Sequence, residues 1–359
     1  MMLHVKLRYC RVLLVGLLVF GCATREQLGL GSLQILSAGV VNDPKNKSLR
    51  FDLLQFGLEQ FCSEMLRRGA PLSLSDSQPV LGRFFAKGCQ SQVIDNDVRQ
   101  SVVVQYSGTG YAWTNLTQRL SFTASGVVEY AADFHVHEDA LYIYFRPRQV
   151  DATQFNIVLV ESPLAQVGIS LSAVNPNQMG KDIVESQLRR GFTVIRRSER
   201  GETEFALGVV PAGQLPFRPF QVVKSQRVTL DNSRTELHTN QQDFVGGFRV
   251  TDDDQSLHFI LSLDGAPAVD AFVLTKTMGD LMLNGYVGRT GPATLPGPPL
   301  FADVVVPGPA LDRRVRLPPG DYYLLLDHSS AAGQAAPPAG PLDDRAARVD
   351  YLVQLSDDD

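Results

Sequence analysis

The sequence predicts a mainly β protein in which a helix packs on an antiparallel sheet and is followed by a C-terminal β-sandwich. Three observations support this fold class. Runs of β-branched and aromatic residues recur along most of the 359-residue chain. Thirty glycines and 21 prolines are spread between these runs, as is typical of turn-rich β proteins. Two amphipathic segments interrupt the strands, and both precede residue 191.

Length, composition and charge exclude several classes of protein. A chain of this length is long enough for two domains. Its content of 44% hydrophobic and 20% charged residues is that of a folded chain, not a disordered one. The net charge of −5 provides no basic surface for a polyanion, so no nucleic-acid partner is expected.

The first 21 residues have the features of a secretory signal peptide. Three basic residues and no acidic ones precede an apolar run at positions 12–20. As a helix, this run would extend about 14 Å, far less than the roughly 30 Å hydrocarbon core of a bilayer. The segment is therefore predicted to direct export, not to span a membrane.

The end of this run, Val19-Phe20-Gly21-Cys22, resembles the lipobox of bacterial lipoproteins. The resemblance implies diacylglyceryl transfer to the Cys22 thiol, cleavage after Gly21 and acylation of the new amino group. Phe20 is bulkier than the usual lipobox residue, and the alternative is an ordinary signal peptide with an incidental cysteine. Ala23 stands where Asp retains enterobacterial lipoproteins at the inner membrane, which favours the outer membrane and leaves its periplasmic or surface face open.

The chain is predicted to divide into five segments. These are a signal peptide (1–21), a lipid tether (22–30), an α+β domain (31–165), a helix-hairpin and Pro-rich connector (166–220) and a β-sandwich domain (221–359).

The α+β domain is predicted to contain one helix packed on a sheet. Residues 32–41 read as a short strand, and residues 52–68 form the helix, since their apolar side chains share one stripe and Gly69 follows. The segment between this helix and position 88 is predicted to have little regular structure. Strands are predicted at 102–106, 118–123, 127–137, 140–146 and 155–161. A hairpin turn is expected at Glu138-Asp139.

A second helix (178–190), a hairpin (192–209) and a Pro-rich connector (211–219) precede the sandwich. Beyond the connector no helix is predicted. Strands are expected at 221–230, 244–250, 256–263, 271–275, 281–287, 301–306, 313–317, 322–327 and 349–355. Leu317-Pro-Pro-Gly320 followed by Asp321-Tyr-Tyr is similar to the end of bacterial pre-peptidase C-terminal-like sandwiches. That resemblance implies an accessory or adhesive module and no catalyst.

Two of the four cysteines remain for pairing. Cys10 belongs to the signal peptide and Cys22 to the lipobox, which leaves Cys62 and Cys89 in an oxidising compartment. A disulfide between them is predicted, and the alternative is two buried free thiols.

The sequence contains no motif for catalysis or for cofactor binding. Phosphate-binding loops, nucleophile elbows and zinc-ligand spacings are absent. His135 and His137 would share one face of a strand beside Glu138, and could hold a metal or simply face solvent. The Asp252–Asp254 and Asp357–Asp359 runs could bind Ca²⁺ but lack the spacing of a loop site. No metal or cofactor is therefore predicted.

The aromatic residues of the α+β domain suggest a further site. Side chains of Phe and Tyr alternate along its strands and could line a cleft for a hydrophobic ligand, or could simply fill the sheet core. The candidate lining residues are Tyr111, Trp113, Tyr130, Phe134, Tyr142 and Tyr144. A helix on a long antiparallel sheet also resembles tubular lipid-binding folds in architecture.

Two functional hypotheses follow. The first is a non-enzymatic, membrane-anchored lipoprotein of the bacterial envelope that binds or assembles with a protein partner. The alternative is a lipid-binding or hydrophobic-ligand-binding protein that uses the aromatic domain. A hydrolase is the third and least supported class.

Overall fold

The computed structural model describes residue 40 and residues 43–73, 78–95, 100–113, 119–138, 140–161, 176–197, 203–214, 218–222, 227–337 and 345–357. The predicted signal peptide, Cys22, the tether and nearly all of the strand predicted at 32–41 lie outside these residues. No helix within the described ranges is long and apolar enough to cross a membrane.

The N-terminal half is built on a seven-stranded antiparallel sheet. The strands follow one another in chain order from β1 to β7. They are β1 (Ala70–Pro71), β2 (Gly82–Asp95), β3 (Gln100–Ala112), β4 (Arg119–His137), β5 (Ala140–Glu161), β6 (Phe192–Arg197) and β7 (Thr203–Leu207). With the eight strands of the second half, this sheet confirms the predicted mainly β fold.

Two helices pack on one face of this sheet. A short 3₁₀ helix, Pro44–Asn46, leads into α1 (Lys47–Arg67), and α2 (Pro176–Arg189) lies later in the chain. Both lie close to their predicted ranges, because each carries an apolar stripe and is followed by a glycine. Gly191 has φ +67°, and a Cβ there would lie 2.1 Å from the carbonyl oxygen of Phe145. Only glycine therefore fits where α2 turns back into β6.

Strands β4 and β5 are longer than the sequence predicted. Each was predicted as two strands, and each is continuous, joined by a turn at Glu138 as expected. Three register shifts interrupt their pairing, which bends and twists the ribbon. Pro147 is accommodated at one of them, since β6 pairs only with Ala140–Phe145 of β5 and Pro147 lies beyond that pairing.

The prediction of little regular structure up to position 88 was wrong. β2 begins at Gly82 and pairs with β3 along its length. Its alternation of large and polar residues is masked by glycines and by a β-bulge at Lys87, which has no partner in the register. The predicted hairpin at 192–209 forms β6 and β7, and these strands extend the same sheet instead of belonging to a separate connector.

The C-terminal half has two four-stranded antiparallel sheets. One has the order β13-β10-β15-β8 and the other β12-β11-β14-β9. The strands are β8 (Val228–Leu237), β9 (Gln241–Val250), β10 (Gln255–Asp264), β11 (Val269–Thr275), β12 (Phe301–Val305), β13 (Leu311–Arg316), β14 (Gly320–His328) and β15 (Ala347–Asp357). Apolar residues of both sheets share one core, as expected for a sandwich.

The prediction that this half contains no helix was wrong. Residues 281–287, predicted as a strand, belong to α3 (Lys276–Gly288). Thr275 caps the helix by accepting a hydrogen bond from the Met278 backbone N–H. The buried residues recur with helical spacing: Gly279, Met282, Leu283, Tyr286 and Val287.

One of the hydrophobic cores contains residues of both halves. Phe85, Tyr111 and Trp113 of the N-terminal sheet are buried in the same cluster as the sandwich strands and α3. The strand bridge between Val80 and Thr235 adds backbone pairing. Strands β2 and β3 are therefore covered by helices on one face and by the C-terminal half on the other.

Candidate ligand-binding site

An apolar cavity of about 80 Å³ lies between α1, α2 and the N-terminal sheet. Its walls are almost entirely hydrocarbon, and 17 residues contribute to them. They are Phe61, Met65, Ala70, Pro71, Leu72, Phe84, Ala86, Cys89, Val104, Tyr106, Val128, Tyr130, Val184, Gln187, Leu188, Gly191 and Phe192.

The bulge at Lys87 determines which residues of β2 face the cavity. Side chains alternate between the two faces of a strand, so residues 86 and 89 would ordinarily point in opposite directions. Ala86 pairs with Gly108 and Gly88 with Ser107, which leaves Lys87 as an extra residue. Ala86 and Cys89 therefore line the same wall.

The predicted disulfide between Cys62 and Cys89 is confirmed. It joins α1 to β2 with Cα atoms 5.4 Å apart, and Cys89 lines the cavity. A closed loop of 27 residues contributes roughly 3–4 kcal/mol in the chain-entropy model. Helix α1 is thereby fixed as one wall.

The C-terminal end of α1 is also held by the sandwich. The Arg68 guanidinium donates to the carbonyl of Leu230, and the backbone N–H of Gly69 donates to the carbonyl of Gly246. The second helical wall has no such covalent link among the described residues. Helix α2 contributes Val184, Gln187 and Leu188 to the cavity.

Gln187 is the one amide side chain in the lining. Its side chain is 8% exposed, and Nε2 has no hydrogen-bond partner among the described residues. The Arg190 guanidinium donates to Gln187 Oε1 at 3.4 Å. Because a guanidinium can only donate, this contact fixes the amide orientation and leaves Nε2 as an unused donor.

Two tyrosines also line the cavity. Burial raises the pKa of Tyr106 to about 12, with a further contribution from Glu185 of α2. Burial also raises the pKa of Tyr130, to which nearby Tyr106 contributes. Both side chains therefore remain neutral at physiological pH and provide no charge to the cavity.

The six predicted lining aromatics do not form one cleft. Only Tyr130 lines the cavity, and Phe134 lies in the same core nearby. Tyr142 and Tyr144 point to the opposite face of the sheet, where they pack with Ile195. Sequence alone could not assign them, because register shifts and strand faces decide which side each residue occupies.

Tyr111 and Trp113 lie in the junction between the two halves. The Tyr111 hydroxyl donates to Asp243 Oδ1 at 2.9 Å and accepts from the backbone N–H of Phe244. Trp113 Nε1 donates to the Tyr286 hydroxyl at 3.1 Å. These aromatics therefore fill a core and satisfy buried polar groups instead of facing a cleft.

A buried ion pair completes the junction. Arg83 Nε and Nη2 donate to the two carboxylate oxygens of Asp243 at 2.6 and 3.0 Å, and Nη2 also donates to the Tyr351 hydroxyl. Arg83 and Asp243 are each fully buried. Burial alone would lower the pKa of Arg83, but Asp243 together with Tyr351 and Tyr111 outweighs it and raises the pKa well above its ordinary value.

A second polar cluster links β4 and β5 to the sandwich. The Arg119 guanidinium stacks 3.9 Å from the Tyr286 ring centroid and pairs with Glu161 at 2.9 Å. It also donates to the carbonyls of Arg289 and Gly291. Burial raises the pKa of Tyr286, so its hydroxyl is protonated there.

The predicted polar candidates do not form a metal centre. No cluster of three His, Cys, Asp or Glu side chains suited to a metal occurs among the described residues. His135 is exposed, while His137 lies against Gly213. Asp252–Asp254 occupy an exposed turn, and of 357–359 only Asp357 is described.

Sequence reasoning missed Gln187 and the cavity itself. Gln187 lies on the buried side of a predicted helix, one residue before Leu188, and a polar residue at such a position is the available signal. The cavity depends on the Lys87 bulge and on helix placement, neither of which the sequence pattern reports.

Comparisons with known proteins give no family for this chain. No family model matches it, and no curated protein matches it. A chain from the disulfide-linked pili of Bacillus endospore appendages is 12% identical over 40% of this chain and all of that chain, with a TM-score of 0.19. A chain of infectious bursal disease virus, Gx strain, is 9% identical over 80% of this chain and 81% of that chain, with a TM-score of 0.16. Likenesses this weak carry no argument about fold or function.

Proposed function

We propose that this chain is a non-enzymatic, membrane-anchored lipoprotein of the bacterial envelope that binds a hydrophobic ligand between α1, α2 and the N-terminal sheet. The anchor is supported by the lipobox-like sequence ending at Cys22. Ligand binding rests on one observation, the apolar cavity between the two helices and the sheet. The confirmed disulfide is consistent with an exported protein.

The size of the cavity indicates how a ligand would enter. An engineered cavity of about 150 Å³ in another protein accepts benzene. At about 80 Å³, the present cavity takes only part of a chain unless one wall moves. Helix α1 is held by the disulfide and by the sandwich, so α2 is the wall that we expect to move.

A protein-binding role has weaker support from β13. This strand lies at the edge of its sheet and exposes Arg313, Arg314 and Arg316. An edge strand can pair with a strand from a partner, although flanking charge disfavours this. We retain binding of an envelope protein as the second candidate function.

Native mass spectrometry of the purified protein tests the ligand. We expect wild type to retain a co-purified lipid or other apolar molecule. Ala86→Leu, which fills the cavity from β2, should abolish retention without loss of thermal stability. Val158→Leu on β5 is the control, because Val158 is 48% exposed and lies outside the cavity. A protein that is empty under gentle extraction and binds no added apolar probe would refute the ligand proposal.

The lipid anchor is tested by expressing the Cys22→Ser variant in a bacterial host and fractionating the cells. We expect this variant to accumulate as uncleaved precursor or to leave the membrane fraction. A variant of mature mass that still fractionates with the outer membrane would refute the lipoprotein assignment.

A further inference from the structure

We infer that the ligand carries an acyl chain with a carbonyl oxygen, and that Gln187 Nε2 donates a hydrogen bond to that oxygen. This inference rests on the proposed ligand function and specifies its chemistry. A pure hydrocarbon would leave the Gln187 donor unpartnered inside an apolar cavity. A carbonyl or carboxylate oxygen would satisfy it.

The first argument is the position of the donor. Gln187 lines the cavity and is more than nine-tenths buried, and its Nε2 has no partner among the described residues. Buried polar groups in proteins are nearly always hydrogen-bonded, so an orphaned donor on a residue that lines a cavity points to a missing acceptor.

The second argument is that the amide is held in place. Arg190 donates to Gln187 Oε1 at 3.4 Å and also to the backbone carbonyl and side-chain oxygen of Ser73 at 3.3 and 3.4 Å. The guanidinium thus links α2 to the segment following β1. With Oε1 engaged, rotation of the amide would place two donors together, so Nε2 is kept available.

The third argument is the character of the remaining walls. The other lining residues are apolar or aromatic, apart from the hydroxyls of Tyr106 and Tyr130. Within the lining there is no charged side chain. These walls suit a methylene chain with one neutral or weakly polar end, and do not suit a sugar or a peptide.

We expect a ligand with an acceptor oxygen to bind about 10-fold more tightly than a ligand of the same length without one. Leaving a buried donor unsatisfied costs roughly 5- to 100-fold in affinity, and the lower part of this range applies because the free protein already contains the orphaned donor. The shared chemistry is an acyl carbonyl, which a free fatty acid and an ester lipid both provide.

Displacement of the neutral fluorophore N-phenyl-1-naphthylamine from the mature chain carrying Cys22→Ser tests the inference. Competitors of matched length are pentadecane, methyl myristate and myristic acid. We expect the two oxygen-bearing competitors to displace the fluorophore at about 10-fold lower concentration than pentadecane. Preference for the acid would identify a free fatty acid, and equal or better displacement by the ester would identify an ester lipid.

The variant Gln187→Leu separates this inference from the proposed function. It should keep fluorophore binding and lose the difference between methyl myristate and pentadecane. Gln92→Leu, at an exposed glutamine of β2, is the matched control and should retain that difference. Equal displacement by ester and alkane in the Cys22→Ser chain would overturn the inference alone. Failure of any apolar probe to bind would overturn the proposed function itself.

Discussion

The carboxylate of Asp327 is the clearest example of a single group whose titration is coupled to folding. Asp327 is fully buried on β14 and neighbours Asp270 of β11 in the register. Burial raises its pKa to about 6, opposed by hydrogen bonds from Ser329 and Gln242 and reinforced by Asp270. The folded state therefore binds a proton here more tightly than the unfolded chain does.

This shift predicts a pH dependence of stability. Because the folded pKa exceeds the ordinary value of 3.8, the stabilising contribution is fully present below that value and is lost as the pH rises through about 6. Asp327→Asn should remove this loss and raise the free energy of unfolding at pH 8 by roughly 1–3 kcal/mol. Urea titrations at pH 5 and pH 8 would measure it.

The control for this measurement is Asp254→Asn in the exposed turn after β9. It should leave the pH dependence unchanged. If Asp327→Asn destabilises the protein equally at both pH values, the hydrogen bonds of the carboxylate matter more than its desolvation.

At the scale of elements, the Lys87 bulge decides the environment of Cys89. Residues 83–85 are held on both faces of β2: Arg83 bonds Asp243, Phe84 packs under the helices, and Phe85 packs on the sandwich. If the number of residues at the bulge changes, the side chains expected to exchange faces are therefore those in the half of β2 that follows the bulge. Cys89 lies at the start of that half.

Deletion of Lys87 should accordingly remove the bulge and leave Cys89 facing α1, because Ala86, Gly88 and Cys89 keep their pairing partners on β3. Deletion of Lys87 and Gly88 together should turn Cys89 to the other face and prevent the disulfide. We expect alkylatable thiols at Cys62 and Cys89 in this double deletion and a loss of roughly 3–4 kcal/mol in the free energy of unfolding. Non-reducing peptide mapping would detect the free thiols, and a missing disulfide in the single deletion would contradict the assignment of Lys87 as the extra residue.

The elements that the sequence predicted well are those whose apolar residues recur with a single period, either helical or alternating. Helices α1 and α2 carry a clear apolar stripe, and most strands of the sandwich alternate between turn residues. Segment 281–287 was misassigned because it begins with the apolar run Leu281-Met-Leu, in which Leu281 is 61% exposed, so the run resembles a buried strand. The Thr275 cap and the helical spacing of its buried residues were the available signals.

The candidate site was harder to predict than the elements. The disulfide followed from counting cysteines, but the lining residues depend on which face each strand presents. Phe84 and Phe85 illustrate this, since they are adjacent and both buried, yet they belong to different cores. Phe84 packs in the core beneath the helices, and Phe85 packs in the core shared with the sandwich.

At the scale of the whole molecule, the buried Arg83–Asp243 pair is one of the contacts that join the two halves. Removing one partner of a buried pair leaves an uncompensated charge and costs about 3–5 kcal/mol. Arg83→Met and Asp243→Leu should each lower the free energy of unfolding by that amount. The double variant should lose much less than the sum of the two.

Urea unfolding of the four proteins provides this double-mutant cycle. Arg249→Met is the control, since Arg249 pairs with Asp321 at the surface and should contribute less than about 1 kcal/mol. Strictly additive losses for Arg83→Met and Asp243→Leu would show that the two side chains are not energetically coupled.

The shared core also bears on whether either half could exist alone. A chain ending at Pro219 would expose Phe85, Tyr111 and Trp113 to water and leave the Arg83 charge without its carboxylate. The complementary fragment would retain Asp243 with no cation. The Pro-rich connector therefore marks a change in composition but does not separate two halves that we expect to fold independently. For the same reason, we do not expect recombination to transfer the sandwich intact to another protein.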